Sequence, residues 1–378
     1  FILTFGVLFS QKPLVVDNYT TNNGLTSNYL ESCVVDSYGY LWISTWDGLN
    51  RFDGYSFKTY KKELYNPTSL LGNYIPKVYE DKDKNLWICQ FGGLSLYDRT
   101  KDAFIHIEEF RDYSVRNIIS SGGLLWVSTQ NGIFSYDHKN KKVTNFKNIF
   151  TGKDSILSNN VFCITPDKNG DLWIGSFLDG LIQFKPKTQE FVVHEKTNKN
   201  LSIKRISSIF IENDEKIWIG SFESGLRILN VKTGYVKKFF FNENDKKSLG
   251  SSGIGTIYKD KTGDIWVGCF NGYLNKFNPK DSSFTRMLDG KDNSTSVEAF
   301  SINYVSIDKN DNLWICTHGN GLICVNKYKS SFQSYFHNKV FENSLSNNVV
   351  SGFVELPDKS IAISTDGGGV DIFNPISL

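Results

Sequence analysis

Short apolar runs recur along this chain, separated by turns rich in Asp, Asn, Gly and Lys. The stretch LWISTWDGLNRFDG (41–54) shows the arrangement, with an apolar run, a turn containing Gly, a second run and another Gly turn. Apolar runs of this length, bounded by turn residues and without helical periodicity between them, indicate β-strands. The stretch therefore predicts a β-hairpin.

The same hairpin pattern returns at regular intervals. Similar stretches are LWICQFGGLSLYD (86–98), LWIGSFLDGLIQF (172–184) and IWVGCFNGYLNKFN (265–278). Consecutive central tryptophans are 39 to 48 residues apart, and they are Trp42, Trp87, Trp126, Trp173, Trp218, Trp266 and Trp314. An eighth copy, IAISTDGGGVDIFN (361–374), has Ala362 in that position. A period of about 45 residues predicts an all-β fold, a β-propeller of four-stranded antiparallel blades.

Each copy predicts four strands, of which the second carries the tryptophan. The fourth strand is marked in four copies by Phe57, Phe104, Phe284 and Phe332. A Gly closes the turn after the second strand, and we expect positive φ at Gly48, Gly93, Gly132, Gly180, Gly225, Gly272, Gly321 and Gly369. Because one blade cannot bury both of its faces, the repeated Trp is predicted to fill the contact between neighbouring blades.

The ends of the repeat array predict how the ring closes. Residues 13–30 resemble the end of a repeat, so we expect them to supply the outer strand of the blade formed by 304–326. This predicts a seven-bladed first propeller over 13–329 and the first blade of a second propeller over 331–378. The alternative is a single eight-bladed ring, in which 349–374 form the last blade.

The N-terminal stretch FILTFGVLFSQ is apolar and has no Met or basic residue before it. It predicts that residues 1–10 are the remnant of a secretory signal peptide, the alternative being a buried first strand. Ten residues are too few to cross a bilayer. We therefore expect an exported, soluble domain.

Charge and cysteine content narrow the classes of function. Forty-two basic and forty acidic side chains give a net charge of +2, which argues against nucleic-acid binding by this segment. The six cysteines occupy strand positions that are expected to hold small buried residues, so free thiols are predicted rather than disulfides. Turns such as DKNGD (167–171) resemble the start of a calcium loop but lack its later Gly and Glu, and neither a metal nor a cofactor is predicted.

The full blade pattern, D-x-x-G-x-L-W-I-G-[ST]-x-x-G-L-x-x-[FY]-[DN], is matched best by residues 156–185 and 304–326. It resembles the two-component regulator propeller repeat, and the resemblance extends over residues 14–378. It implies the periplasmic sensor region of a hybrid two-component system, which has two propellers, a β-sandwich, a membrane span and a histidine kinase. It also implies that this chain is a non-catalytic fragment, with the kinase after Leu378.

The resemblance implies an oligosaccharide ligand, control of a phosphorelay and of transcription of glycan-use genes, and a homodimer in the full-length form. The expected partners within the chain are the second propeller and the C-terminal signalling domains. Two alternatives remain open from the residues alone. One is a protein-docking scaffold, and the other is a propeller polysaccharide lyase or glycosidase with no linear motif.

The position four residues after each repeated Trp is the candidate binding site. It lies where the second strand enters its turn, and most copies have an aromatic residue there: Trp46, Phe91, Phe177, Phe222 and Phe270. Such rings can stack on sugar rings, although they could equally cap the packing between blades. Neighbouring polar residues are candidates to bind sugar hydroxyls: Asp47, Asn131, Asp179, Glu223, Asn271, His318 and Asn320. No catalytic residue is predicted.

Overall fold

The computed structural model describes residues 16–146, 160–287, 301–326, 335–337 and 344–374. The chain forms two compact units, Phe1–Asn326 and Lys327–Leu378, and each is described by itself below. The signal remnant predicted at 1–10 and the strand marker Phe332 lie outside the described residues. The described part is nearly all β, with one short helix, α1 (His194–Thr197), and two 3-10 turns (Thr21–Asn23 and Glu108–Phe110).

The strands of the first unit form four-stranded antiparallel sheets, as the repeat predicts. Sheet 1 has β2 (Leu30–Val35), β3 (Leu41–Thr45), β4 (Gly48–Phe52) and β5 (Phe57–Tyr60). Sheet 2 has β6 (Lys77–Glu80), β7 (Leu86–Gln90), β8 (Gly93–Asp98) and β9 (Ala103–Ile107). Sheet 3 has β10 (Val115–Ser121), β11 (Leu124–Thr129), β12 (Gly132–Asp137) and β13 (Lys142–Asn145). Sheet 4 has β14 (Val161–Pro166), β15 (Leu172–Ser176), β16 (Leu181–Lys185) and β17 (Glu190–Val193).

The remaining sheets of this unit complete the series. Sheet 5 has β18 (Ile206–Ile211), β19 (Lys216–Ser221), β20 (Leu226–Asn230) and β21 (Val236–Phe239). Sheet 6 has β22 (Ile254–Lys259), β23 (Ile265–Cys269), β24 (Leu274–Asn278) and β25 (Ser283–Met287). Sheet 7 has β26 (Ile302–Ile307), β27 (Leu313–Thr317), β28 (Leu322–Val325) and the N-terminal strand β1 (Val16–Tyr19).

The two ends of the first unit meet in sheet 7. Strand β1 pairs antiparallel with β28, with Val16 opposite Val325 and Tyr19 opposite Leu322. The sequence prediction that the N-terminal segment supplies this outer strand is confirmed. Consecutive first strands contact each other around the unit, and β2 contacts β26, so the seven sheets of the first unit close into a ring.

Each repeated Trp packs against the following sheet. Trp42 of sheet 1 lies in one apolar cluster with Val78 and Tyr97 of sheet 2, and Trp314 of sheet 7 lies in a cluster with residues of sheet 1. Six of these tryptophans are buried and Trp266 is partly buried. The predicted structural role is confirmed, and burial of each ring contributes on the order of 3 kcal/mol.

A carboxylate in the turn before the second strand holds the indole of the repeated Trp. In sheet 1 the Nε1 of Trp42 donates to Oδ2 of Asp36 at 2.8 Å, while Oδ1 accepts two backbone amides of the turn. In sheet 3 the shortened copy has no acid, and Trp126 donates to the carbonyl of Ser121. The acceptors in the other six sheets are Asp36, Asp81, Asp167, Glu212, Asp260 and Asp308. The oxygens that resemble calcium ligands are thus used within the turns.

The turn glycines have positive φ in seven of the eight copies, including 77° at Gly321. The prediction is wrong for Gly272. In that turn Asn271 has the left-handed conformation, with φ of 47°, which Asn tolerates better than most residues. Gly272 is required for another reason, because a Cβ there would lie 2.8 Å from the Cβ of Cys269.

All six cysteines are free and buried, which confirms the prediction from their positions. Burial raises the pKa of Cys163 to about 12 and that of Cys269 likewise to about 12. The thiols of Cys163 and Cys269 therefore stay protonated at neutral pH and act as small apolar side chains.

The described part of the second unit is one antiparallel sheet of β29 (Val350–Glu355), β30 (Ile361–Thr365) and β31 (Gly369–Phe373). Ala362, in the position of the repeated Trp, pairs with Val354. Phe353 is 80% exposed, whereas Cys33 at the matching position of sheet 1 is buried. The assignment of this sheet to a second propeller or to an eighth blade stays a prediction.

Candidate functional site

The first strands of the seven sheets surround a cavity of about 790 Å³. In six of these strands the pairing with the second strand shifts by one residue at the second position, which forms a β-bulge. Bulges turn a residue out of the regular ladder and are common beside binding sites. The bulged residues and Pro76 of sheet 2, here named the bulge ring, all line the cavity: Glu31, Pro76, Arg116, Phe162, Ser207, Gly255 and Asn303.

The residue before each member of the bulge ring is aliphatic and buried. This set comprises Leu30, Ile75, Val115, Val161, Ile206, Ile254 and Ile302. Packing between blades therefore keeps the first of these two positions aliphatic. The second position, which belongs to the bulge ring, has a different residue in every sheet. The prediction of site residues missed the bulge ring, although its variation beside a constant aliphatic position was visible in the repeats.

Seven of the rings that line the same cavity are here named the aromatic collar: Trp46, Tyr74, Phe91, Phe162, Phe222, Phe270 and His318. Phe222 and Phe270 are stacked with centroids 5.6 Å apart, and Phe270 is 6.2 Å from His318. Trp46 continues the series, with its centroid 5.6 Å from that of His318. Five collar members stand at the position that the sequence singled out, and Tyr74 and Phe162 were not predicted.

The turn after the second strand lies beside the start of the first strand. The backbone amide of Trp46 donates to the carbonyl of Tyr29 at 3.1 Å, and that of Phe222 donates to Arg205 at 3.0 Å. The same bond occurs in every sheet except sheet 3, where the Gln130 side chain accepts from the amide of Ser114. This bond explains how residues far apart in a repeat reach one cavity.

Glu31 is the carboxylate of the cavity, and its oxygens are already used. They accept hydrogen bonds from Nε1 of Trp46, from the hydroxyl of Tyr74 at 3.0 Å and from Nδ2 of Asn303 at 2.8 Å. Nε2 of His318 lies 3.5 Å away. Burial alone would raise the pKa of Glu31, but His318, Trp46 and Asn303 together lower it below the usual 4.5. Glu31 is therefore an anion that positions Trp46.

Two cations also line the cavity. The guanidinium of Arg116 lies 4.7 Å from the centroid of the Phe162 ring, and Nζ of Lys77 lies 3.8 Å from that of Tyr304. Burial lowers the pKa of Arg116 from its usual value, yet a guanidinium stays charged at neutral pH. Cation–π contacts of this kind stabilise a charge without neutralising it.

Phe177 and all of the predicted polar residues except His318 lie outside the cavity lining. Phe177 packs on Phe162 with centroids 5.7 Å apart. Asp47 pairs with Lys61 at 2.6 Å. A ligand role for the members of this group stays a prediction: Phe177, Asp47, Asn131, Asp179, Glu223, Asn271 and Asn320.

Comparisons with known proteins agree with this architecture. Residues 69–92, 155–177 and 248–271 match the two component regulator propeller family. A histidine kinase, P4 of Formosa agariphila, is 38% identical over 56 residues, which are 15% of this chain and 4% of that protein. Three segments of the chain therefore match two-component regulator propeller repeats, in agreement with the resemblance seen in the sequence.

Solved structures extend the comparison to the whole fold. The extracellular domain described as that of hybrid two component system BT3049 from B. thetaiotaomicron is 25% identical, with a TM-score of 0.54, over 96% of this chain and 48% of that one. A second such domain, BT4673 of the same organism, is 18% identical with a TM-score of 0.67, over 96% and 52%. The chain thus spans about half the length of these relatives, which are extracellular domains of two component systems.

An enzyme shares the fold as well. Virginiamycin B lyase of Staphylococcus aureus is 11% identical, with a TM-score of 0.58, over 82% of this chain and 98% of that one. At this identity the likeness concerns the propeller fold alone. No helix in the described ranges is both long and apolar enough to span a membrane.

Proposed function

We propose that this chain is a non-catalytic ligand-sensing module, exported to the periplasm, that binds an oligosaccharide in the cavity of its first unit. The observation that carries the proposal is the aromatic collar, because its seven rings come from six sheets and line one cavity. The cavity volume of about 790 Å³ is within the range typical of small-molecule sites. Trp46, which is 48% exposed, is the ring best able to receive a ligand.

Sugar rings suit such a surface. Their C–H faces stack on aromatic rings, and their hydroxyls require donors and acceptors nearby. Ser207 and Asn303 provide polar groups from two sheets around the same cavity. The arrangement therefore combines stacking surfaces with hydrogen-bonding partners, as oligosaccharide recognition requires.

The signalling part of the proposal rests on the relatives. Their extracellular domains are about twice as long as this chain, so ligand binding is proposed to act through further domains of the full protein. A ligand that prefers one arrangement of these domains shifts their equilibrium toward it. The proposed partners are a second propeller, the C-terminal signalling domains with a histidine kinase, and a second copy of the protein.

Calorimetric titration of the chain against neutral and acidic oligosaccharides tests the binding function. Trp46→Ala should weaken binding about tenfold, since it removes a stacking surface and the indole donor to Glu31. Tyr55→Ala is the matched control, because Tyr55 is 97% exposed and does not line the cavity. Equal affinity of Trp46→Ala and the parent chain would contradict the proposed site.

Intrinsic fluorescence gives an independent measurement. Trp46 is the exposed tryptophan, while the other seven are buried or partly buried. We expect ligand to change the emission of the parent chain and not that of Trp46→Phe. Release of product from any oligosaccharide would instead favour the lyase or glycosidase alternative, and a protein partner without sugar affinity would favour docking.

A further inference from the structure

The charges that face the cavity do not balance. Glu31 accepts hydrogen bonds from Trp46, Tyr74 and Asn303, so its oxygens are occupied. Arg116 and Lys77 line the same cavity, and neither has a carboxylate partner within salt-bridge distance among the described residues. The lining therefore carries two cations and one anion that is already bonded.

Arg116 differs from the other arginines of this chain. The Nε atoms of Arg116, Arg205 and Arg227 are all buried without a hydrogen-bond partner within the described ranges, but in Arg116 the other two nitrogens form no hydrogen bond there either. The other six donate to carboxylates, hydroxyls or backbone carbonyls: Arg51, Arg99, Arg111, Arg205, Arg227 and Arg286. A buried donor without an acceptor costs free energy, and for a guanidinium the cost is larger than for a neutral group. The position of Arg116 is thus poorly explained by folding alone.

Its location explains it better. Arg116 is the bulged residue of β10 and belongs to the bulge ring, so the backbone turns it toward the cavity. The ring of Phe162 supports one face of the guanidinium, which leaves the edge with its N–H donors available. A guanidinium held in this way presents a fork that matches the two oxygens of a carboxylate or sulfate.

We propose that Arg116, assisted by Lys77, binds the anionic group of an acidic oligosaccharide, either a uronate carboxylate or a sulfate ester. This inference rests on the proposed oligosaccharide function and adds the class of sugar. The aromatic collar stacks the sugar rings while Arg116 selects a charged unit among them. Neutral oligosaccharides lack the partner that this guanidinium requires, so they bind more weakly.

The test is a glycan array probed with the chain of residues 1–378, carrying neutral, uronate-containing and sulfated oligosaccharides. Retention of acidic members alone supports the proposal, and the uronate and sulfate groups of the array identify the anion. Retention of neutral members at equal strength overturns the anion site and leaves the oligosaccharide function intact. Retention of none overturns both.

Variants then assign the effect to the residue. Arg116→Gln should weaken binding of the retained acidic oligosaccharide about 10- to 100-fold, because a charge-assisted bidentate contact is lost. Arg116→Lys should recover part of the affinity, since it keeps the charge and loses the fork. Unchanged affinity in Arg116→Gln overturns the proposal.

Arg205→Gln is the matched control. Arg205 also stacks on a phenylalanine, with its guanidinium 4.9 Å from the Phe177 ring, but it pairs with Glu223 and does not line the cavity. The Arg205→Gln variant should bind the retained acidic oligosaccharide with the same affinity as the parent chain. Circular dichroism and the thermal midpoint check that Arg116→Gln is folded, and Arg116→Lys keeps the test decisive if it is not.

Discussion

At the start of each first strand, an aliphatic residue and the bulge-ring residue that follows it have different roles. The aliphatic residue, such as Leu30 or Ile206, is buried between blades, so exchange between Leu, Ile and Val is all that packing allows. The next residue is displaced by the bulge and faces the cavity, where Glu31, Arg116 and Ser207 all fit. Of two adjacent residues, the first thus contributes to stability and the second is available for recognition.

The turn glycines give a prediction at the scale of the residue. Gly321 has φ of 77°, and a Cβ there would lie 2.2 Å from the carbonyl oxygen of Tyr19 in β1. Gly321→Ala should therefore lower the free energy of unfolding by about 3 kcal/mol, from backbone strain and displacement of β1 together. Urea unfolding followed by tryptophan fluorescence measures it, since all eight tryptophans lie between residues 42 and 314.

Gly54→Ala separates the two causes. Gly54 has φ of 101°, but no atom lies within 4 Å of where its Cβ would be. Its cost should be about 1 kcal/mol, from the backbone conformation alone. Equal costs for the two variants would show that the contact with β1 contributes nothing.

At the scale of the element, the first two strands of a sheet form a hairpin in which a hydrogen bond joins the turn to the core. The turn carboxylate accepts this bond from the indole of the buried Trp. The turn carboxylate orders its own backbone amides and also anchors the indole that packs on the next sheet. The spacing of six residues between acid and Trp follows from this bond. It explains why five of the six turns have Asp at this position and the sixth has Glu, whose carboxylate can make the same bond.

Asp36 offers the sharpest test of this unit. Its carboxylate is fully buried and accepts from Trp42 and from Arg99, the latter at 2.7 Å. Asp36→Ala should cost about 3 kcal/mol in the free energy of unfolding, because the buried indole of Trp42 loses its acceptor and the partly buried guanidinium of Arg99 keeps only Glu80. Asp53→Ala is the control, since Asp53 accepts turn amides at the surface and its replacement should lower the free energy of unfolding clearly less than Asp36→Ala does. Equal urea midpoints for Asp36→Ala and Asp53→Ala would contradict this prediction.

Strand positions were largely predictable from the sequence. The first, second and fourth strands coincide with the apolar runs and with Phe57, Phe104 and Phe284, because alternation and turn residues act locally. The sixth turn is the exception. A Gly next to an Asn leaves two residues able to adopt positive φ, and contacts with Cys269 decide between them.

At the scale of the molecule, the ring of the first unit closes through non-local contacts. Strand β1 completes sheet 7, and Asn303 of sheet 7 donates to Glu31 of sheet 1. These partners are more than 270 residues apart in sequence. Closure therefore costs chain entropy, which the packing of Trp314 against sheet 1 offsets.

The charge of Glu31 should affect how the free energy of unfolding changes as the pH falls. Its pKa is lowered in the folded state, so its contribution is present above its ordinary value of 4.5 and is lost as the pH falls through the folded value. Glu31→Gln should cost about 1 to 3 kcal/mol at pH 6, and its difference from the parent chain should shrink toward pH 3. Urea midpoints at pH 6, 5, 4 and 3 measure this.

Glu243→Gln serves as the comparison, since Glu243 is an exposed loop residue. Its midpoints should follow those of the parent chain at every pH. A constant difference between Glu31→Gln and the parent chain from pH 6 to pH 3 would show that the charge of Glu31 does not stabilise the closure.

The candidate site was only partly predictable. The position after each second strand indicated Trp46, Phe91, Phe222, Phe270 and His318, because its aromatic character repeats. Phe177 occupies the same position but lies outside the cavity lining, and Tyr74 and Phe162 enter it from the adjoining segment. Which of two nearby rings reaches the cavity depends on how each blade is placed against its neighbours.

The sequence alone determined the repeat, the strand order within a blade, the inter-blade role of the tryptophans and the free cysteines, because these follow from local patterning and from burial. The tertiary structure decided which residues form the bulge ring, which groups donate to Glu31, and that Arg116 has no carboxylate partner among the described residues. These features arise where seven first strands converge, and a chain that is read one repeat at a time does not show which side chains meet there.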